Sequence, residues 1–90
     1  MNKEQYKILK SGVEKWNAYR KENPEVVVDL SGADLNGADL KGADLVEACL
    51  VEVNLWRANL IGADFRGAKL SGDLWGADFR RADFNSGERR

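Results

Sequence analysis

The chain has 90 residues, 14 of them basic and 15 acidic, with one cysteine and no histidine. That length suits one small domain, the near-cancelling charge gives no bias towards nucleic acid or a membrane surface, and the lack of histidine removes the commonest general base and metal ligand. A lone cysteine makes no internal disulfide, which fits a reducing, cytoplasmic setting, and no apolar run is long enough for a membrane span or shaped as a signal peptide.

The first element is helical. Tyr6, Leu9, Val13 and Trp16 recur at helical spacing and predict one helix over residues 2–22, with Asn2 as its cap and Gln5 three positions on. Lys3, Lys7, Glu14 and Lys15 face elsewhere. Gly12 weakens such a helix by about 1 kcal/mol, and Asn23-Pro24 ends it, because the residue before proline is pushed out of the helical region. Residues 1–24 then read as a helix that caps the hydrophobic end of the rest of the chain, with a partner-binding helix as the alternative.

From Val28 to Phe84 a large apolar residue returns at nearly every fifth position, as in Leu30, Leu35, Leu40, Leu45, Leu50, Leu55, Leu60, Phe65 and Leu70. A small residue stands two places before most of them. A period of five fits neither a straight helix nor a straight strand, so the chain must turn once per repeat. Ala33 and Leu35 then share one face of a short extended segment, and four such segments close a square of about twenty residues. Stacked squares place Asp34, Asn54 and Asp73 in one column and Asp44, Asp64 and Asp83 in another. After Ser71 the phase slips by one residue, so one face of the last coil is a residue short. Val53 stands between Ala33 and Gly72, which suggests compensation of side-chain volume.

The runs Ala33-Asp34-Leu35-Asn36-Gly37, Ala38-Asp39-Leu40-Lys41-Gly42 and Ala58-Asn59-Leu60-Ile61-Gly62 resemble the repeat of pentapeptide-repeat proteins. The resemblance implies an all-β solenoid: a right-handed quadrilateral β-helix of about three coils over residues 25–84, behind the N-terminal α-helical cap. The leader from Ile8 to Pro24 is similar to one that precedes the repeats in bacterial, especially cyanobacterial, members. Residues 85–90 carry no periodicity and read as a C-terminal tail. Phe65, Phe79 and Phe84 are expected to plug the lower end; an unplugged end would instead pair with a second copy as a homodimer.

Function would lie on outward positions. Val46, Val51, Trp56 and Ile61 are consecutive outward residues expected to form an apolar belt around the middle coil, with Trp75 one coil below Trp56. Two readings apply, a patch for an unidentified protein partner or ordinary apolar surface. The stacked carboxylates repel and would favour a cation such as calcium. Against that, Asp or Asn at the second repeat position serves local backbone hydrogen bonding, so no metal is expected. Cys49, outward between Asp29 and Lys69, is expected to be incidental. With no nucleophile elbow, phosphate loop or pocket, no enzyme and no cofactor are expected.

The chain therefore reads as a non-catalytic binding or scaffolding module. The resemblance implies one alternative, a mimic of duplex DNA that inhibits or protects DNA gyrase or topoisomerase IV. Such mimicry needs a long acidic rod, whereas residues 25–90 hold 12 acidic against 8 basic residues. Ala58→Leu should overfill the narrow interior and lower stability by about 1–3 kcal/mol; a thermal melt within a few degrees of wild type would contradict the inward assignment.

Overall fold

The computed structural model describes residues 1–85. Its elements in chain order are α1 (Lys3–Lys10), α2 (Val13–Glu22), β1 (Cys49–Asn54) and β2 (Lys69–Asp73). The single helix expected over 2–22 is in fact two. Asn2 does cap α1, its side chain accepting the Gln5 N–H at 2.9 Å, but Gly12 has φ 129° and ψ 151°, outside the helical region. A straight helix over those residues would run about 30 Å, past the roughly 17 Å that a five-residue segment can span. Broken at Gly12, the two pieces follow different edges of the first layer while Leu9 and Trp16 both reach the core, at 1% and 0% exposure.

Below the helices, extended segments pair in parallel with the segment one layer down. The pairs are Asp29 with Cys49, Asp34 with Asn54, Asp39 with Asn59 and Asp44 with Asp64. The next layer continues them as Cys49 with Lys69, Asn54 with Asp73, Asn59 with Asp78 and Asp64 with Asp83. Four ladders, each three segments deep, result. Backbone bonds of 2.7–3.0 Å join the layers, for example from Leu35 N–H to Asn54 C=O and from Asn54 N–H to Ala33 C=O.

The second repeat position explains which segments are regular strands. At Asp34, Asn54, Asp73, Asp39, Asn59 and Asp78 the side-chain oxygen accepts the N–H two residues on, curling each segment into a turn directly after its bridge. Cys49 and Lys69 cannot do so, and there the backbone runs on as β1 and β2. Corners take a left-handed conformation that suits glycine, as at Gly37 (φ 67°), although Glu47, Glu52, Arg57 and Arg81 adopt it too.

The slip of phase is visible as a register shift between Leu50, which pairs with Leu70, and Val53, which pairs with Gly72. The expected compensation of side-chain volume is not the reason for Gly72. A Cβ there would stand 2.1 Å from the Val53 carbonyl oxygen and 2.7 Å from its nitrogen, so close backbone approach demands the glycine.

Leu30, Leu35, Leu40, Leu45, Leu50, Leu55, Leu60 and Phe65 form the core, interleaved with Ala33, Ala43, Ala48, Val53, Ala58 and Ala63, all at 1% exposure or less. In the last layer Leu70, Leu74 and Phe79 are half-buried, and Phe84, expected inside, is 51% exposed. No described residue pairs beneath that layer. The three phenylalanines do gather: Phe84 stacks on Phe65 at 4.9 Å, and Phe79 lies 5.8 and 5.6 Å from Phe65 and Phe84. Of the tail expected over 85–90, residues 86–90 lie outside the described residues.

Two glycines separate conformation from packing. Gly37→Ala should cost about 1 kcal/mol from its positive φ alone, since nothing lies within 4 Å of the added Cβ. Gly72→Ala should cost about 3 kcal/mol or more, and equal urea midpoints for the two variants would contradict the close approach. A second prediction concerns Asp29. The Ser31 hydroxyl, at 2.7 Å, and then the Ser31 N–H hold its carboxyl below the ordinary range. A folded pKa below the unfolded one stabilises at pH above about 4, and that contribution disappears as pH falls through the folded value. Melting temperature should therefore drop as pH falls below about 4, and Ser31→Ala should narrow the drop; the same drop in both proteins would contradict the assignment.

Candidate interaction face

The outward residues do not form one surface. Consecutive repeats lie on successive ladders, so Val46, Val51, Trp56 and Ile61 each occupy a different face. Val46 also sits one layer above the others, since Asp44 pairs downward with Asp64 and the middle-layer residue beneath Val46 is Arg66. Val46 and Ile61 are half-buried, whereas Val51 and Trp56 are each 36% exposed and Trp75 is 61% exposed. The Val46 carbonyl accepts a bond from the Arg20 guanidinium at 2.9 Å, which ties it to α2.

Only Trp56 and Trp75 come together. Asn54 and Asp73 pair in one ladder, so the residues two places on project side by side, and the two indoles stack at 5.4 Å with 23° between planes. A third side chain completes the group. The Arg57 guanidinium carbon lies 4.7 Å from the Trp56 ring and 5.4 Å from that of Trp75. Gly76 makes room for it: a Cβ at that position would stand 3.1 Å from Arg57 Cγ. Repeat counting by outward position passes over both residues, because each occupies a corner. Their signal is an arginine in a glycine's corner next to Trp56, with a glycine kept one layer below.

The electrostatics separate Arg57 from its neighbours on other faces. Arg66 holds Asp64 through Nε and Nη2 bonds of 2.8 and 2.7 Å, and Arg80 holds Asp78 through bonds of 2.9 and 2.6 Å. These guanidinium bonds hold both carboxyls below the ordinary range. Among the described residues no carboxylate lies within 4.0 Å of Arg57. Its guanidinium lies against two indole faces.

The acidic columns are balanced by protein groups. Asn54 Nδ2 donates to Asp34 at 3.3 Å, placing an amide between Asp34 and Asp73. In the other column Arg66 approaches Asp83 and Arg20 approaches Asp44, both at 4.0 Å. Among the described residues no group of three His, Cys, Asp or Glu is placed to hold a metal ion. Cys49 is free and half-buried. Among the described residues no helix is long and apolar enough to cross a membrane.

No curated protein matches the chain. The family model described as pentapeptide repeats matches it in 8 copies, over residues 28–57, 38–72 and 58–86. Those matches span the ladders from Val28 onward, and the chain belongs to the pentapeptide-repeat family.

Proposed function

We propose that this protein is a non-catalytic binding module, a right-handed quadrilateral β-helix of about three coils that presents Trp56, Trp75 and Arg57 to a protein partner. The observation that carries the reading is the exposed indole stack with a guanidinium that lacks a carboxylate. Tryptophan and arginine are enriched among the few residues that dominate the energetics of protein interfaces, each burying a large area there. The stacked ladder holds both indoles before any partner arrives, so little side-chain entropy is lost on binding. Val51 and Ile61 flank the pair on adjacent faces, and Val46 stands one layer up. A bacterial cytoplasm suits the single free thiol of Cys49.

A second observation supports self-association as well. Leu70, Leu74 and Phe79 are half-buried and Phe84 is exposed at the end of the last layer, a surface that a second copy could cover as a homodimer. The reading as a mimic of duplex DNA directed at a topoisomerase is weaker, because Arg66 and Arg80 neutralise the acids beside them.

Affinity capture from a lysate, with this chain and its Trp56→Ser/Trp75→Ser variant as baits, tests the tryptophan face. One partner should be recovered by the first bait and bind the variant about thirtyfold or more weakly, as expected for loss of about 2 kcal/mol or more at an interface centre. A partner that binds both baits equally would place the interface elsewhere. In a supercoiling assay the protein should leave gyrase unaffected, and inhibition at micromolar concentration would favour the mimic.

A further inference from the structure

The upper edge of the first layer has four faces, and the helices treat them differently. On the Asp44 face every upward-pointing group is met: Asp44 N–H donates to Asn17 Oδ1 at 2.8 Å, Trp16 Nε1–H donates to Asp44 C=O at 2.8 Å, and Arg20 donates to Val46 C=O at 2.9 Å. On the Asp29 face, Asp29 N–H donates to Gln5 Oε1 at 2.9 Å and its C=O accepts from Asn2 N–H at 2.8 Å. On the Asp34 face, the C=O accepts from the Tyr6 hydroxyl at 2.8 Å, and among the described residues nothing accepts from the N–H. The Asp39 face has no such cover. Among the described residues nothing accepts from Asp39 N–H or donates to the carbonyls of Asp39 and Lys41.

One layer down, the corresponding groups show what that edge is built to meet. Asn59 N–H donates to Ala38 C=O at 2.9 Å, Asn59 C=O accepts from Leu40 N–H at 2.7 Å, and Ile61 C=O accepts from Gly42 N–H at 2.9 Å. Each partner belongs to a parallel extended segment. Above Asp39 the space such a segment would fill is a groove of about 630 Å³ between the α1–α2 junction and the Asp39 turn. Leu9, Val13, Ala38 and Leu40 give it apolar walls. Lys10 and Lys41 stand on its rim against a single acid, Asp39, and neither lysine has a carboxylate within 4.0 Å among the described residues.

We propose that the open Asp39 edge takes an acidic extended peptide segment of a partner, added as a parallel strand. Backbone bonds to an edge supply affinity in this mode, and alternate side chains supply selectivity. Leu9 already closes the interior, so inward residues must be small. Outward residues meet the lysine rim and are acidic. The edge lies on a different ladder from the Trp56–Trp75 pair, and its use does not depend on that face.

The test is a titration of the ¹⁵N-labelled full chain with an acetylated, amidated peptide of alternating glutamate and alanine, followed by amide shifts and hydrogen exchange. Saturable shifts should be confined to residues 38–42 and 9–13, and exchange of the Asp39 amide should slow about tenfold or more at saturation. The same peptide N-methylated at its alanine amides should lose binding, because those amides face the Asp39 and Lys41 carbonyls. Asp39→Pro, which removes the donor, should bind about fivefold more weakly. The Trp56→Ser/Trp75→Ser variant should bind as wild type. Equal binding of the N-methylated peptide, shifts only elsewhere, no saturable shift up to millimolar peptide, or protection of Asp39 that grows with protein concentration alone would each overturn the proposal.

Discussion

Every layer of this structure depends on hydrogen bonds to the layer above and the layer below. Parallel ladders fix the vertical spacing, and the columns of leucine, small residue and carboxylate result from that spacing. The same bonds create a difficulty at the ends, where a layer has no neighbour and its peptide groups lack partners. At the upper end the solution is side-chain imitation of a missing layer. Gln5 accepts from Asp29 N–H and donates to Val27 C=O, while Asn17 accepts from Asp44 N–H and donates to Gly42 C=O. Each carboxamide oxygen takes the place of the backbone carbonyl that a layer above would offer, and its NH₂ ties the helix to a neighbouring carbonyl. Gln5 is accordingly buried, at 1% exposure, a rare position for its type.

Within the layers, two residues per repeat bend the chain. An Asp or Asn bonds the N–H two residues on, and a left-handed corner comes next. Where Cys49 and Lys69 occupy the second position that side-chain bond is absent and the pairing extends as β1 and β2, with Glu52 and Gly72 at positive φ. The missing residue of the last layer is absorbed on this face, at the register shift between Leu50 and Val53, and there Gly72 is indispensable. A side chain at that position would meet a peptide group and not a flexible neighbour.

The arginines of the lower layers show how identical side chains take different roles on different faces. Arg66 and Arg80 come directly after an apolar core residue and fold back on the carboxylate two places before, which neutralises the column. Arg57 stands at a corner, one place further on, beside two indoles. Corner residues have no carboxylate at that short distance, so Arg57 is directed to the aromatic faces and remains available to an anionic group.

The amino-acid sequence alone determined the repeat, the columns, the slip of phase and the inward residues from Leu30 to Phe65, because each arises from local bending and a fixed vertical spacing. Trp56 over Trp75 was legible for the same reason. Three features were not. The break at Gly12, the placement of Gln5 and Asn17 against the first layer, and the exposure of Phe84 depend on how separate elements meet, which no periodicity encodes. Arg57 was hidden by its corner position, where its partners are a layer away and not neighbours in the chain. The tertiary structure alone decided how the upper edges are covered: α1 and α2 reach Asp29, Asp34 and Asp44 with side-chain and backbone hydrogen bonds, while above Asp39 their junction at Gly12 leaves a groove.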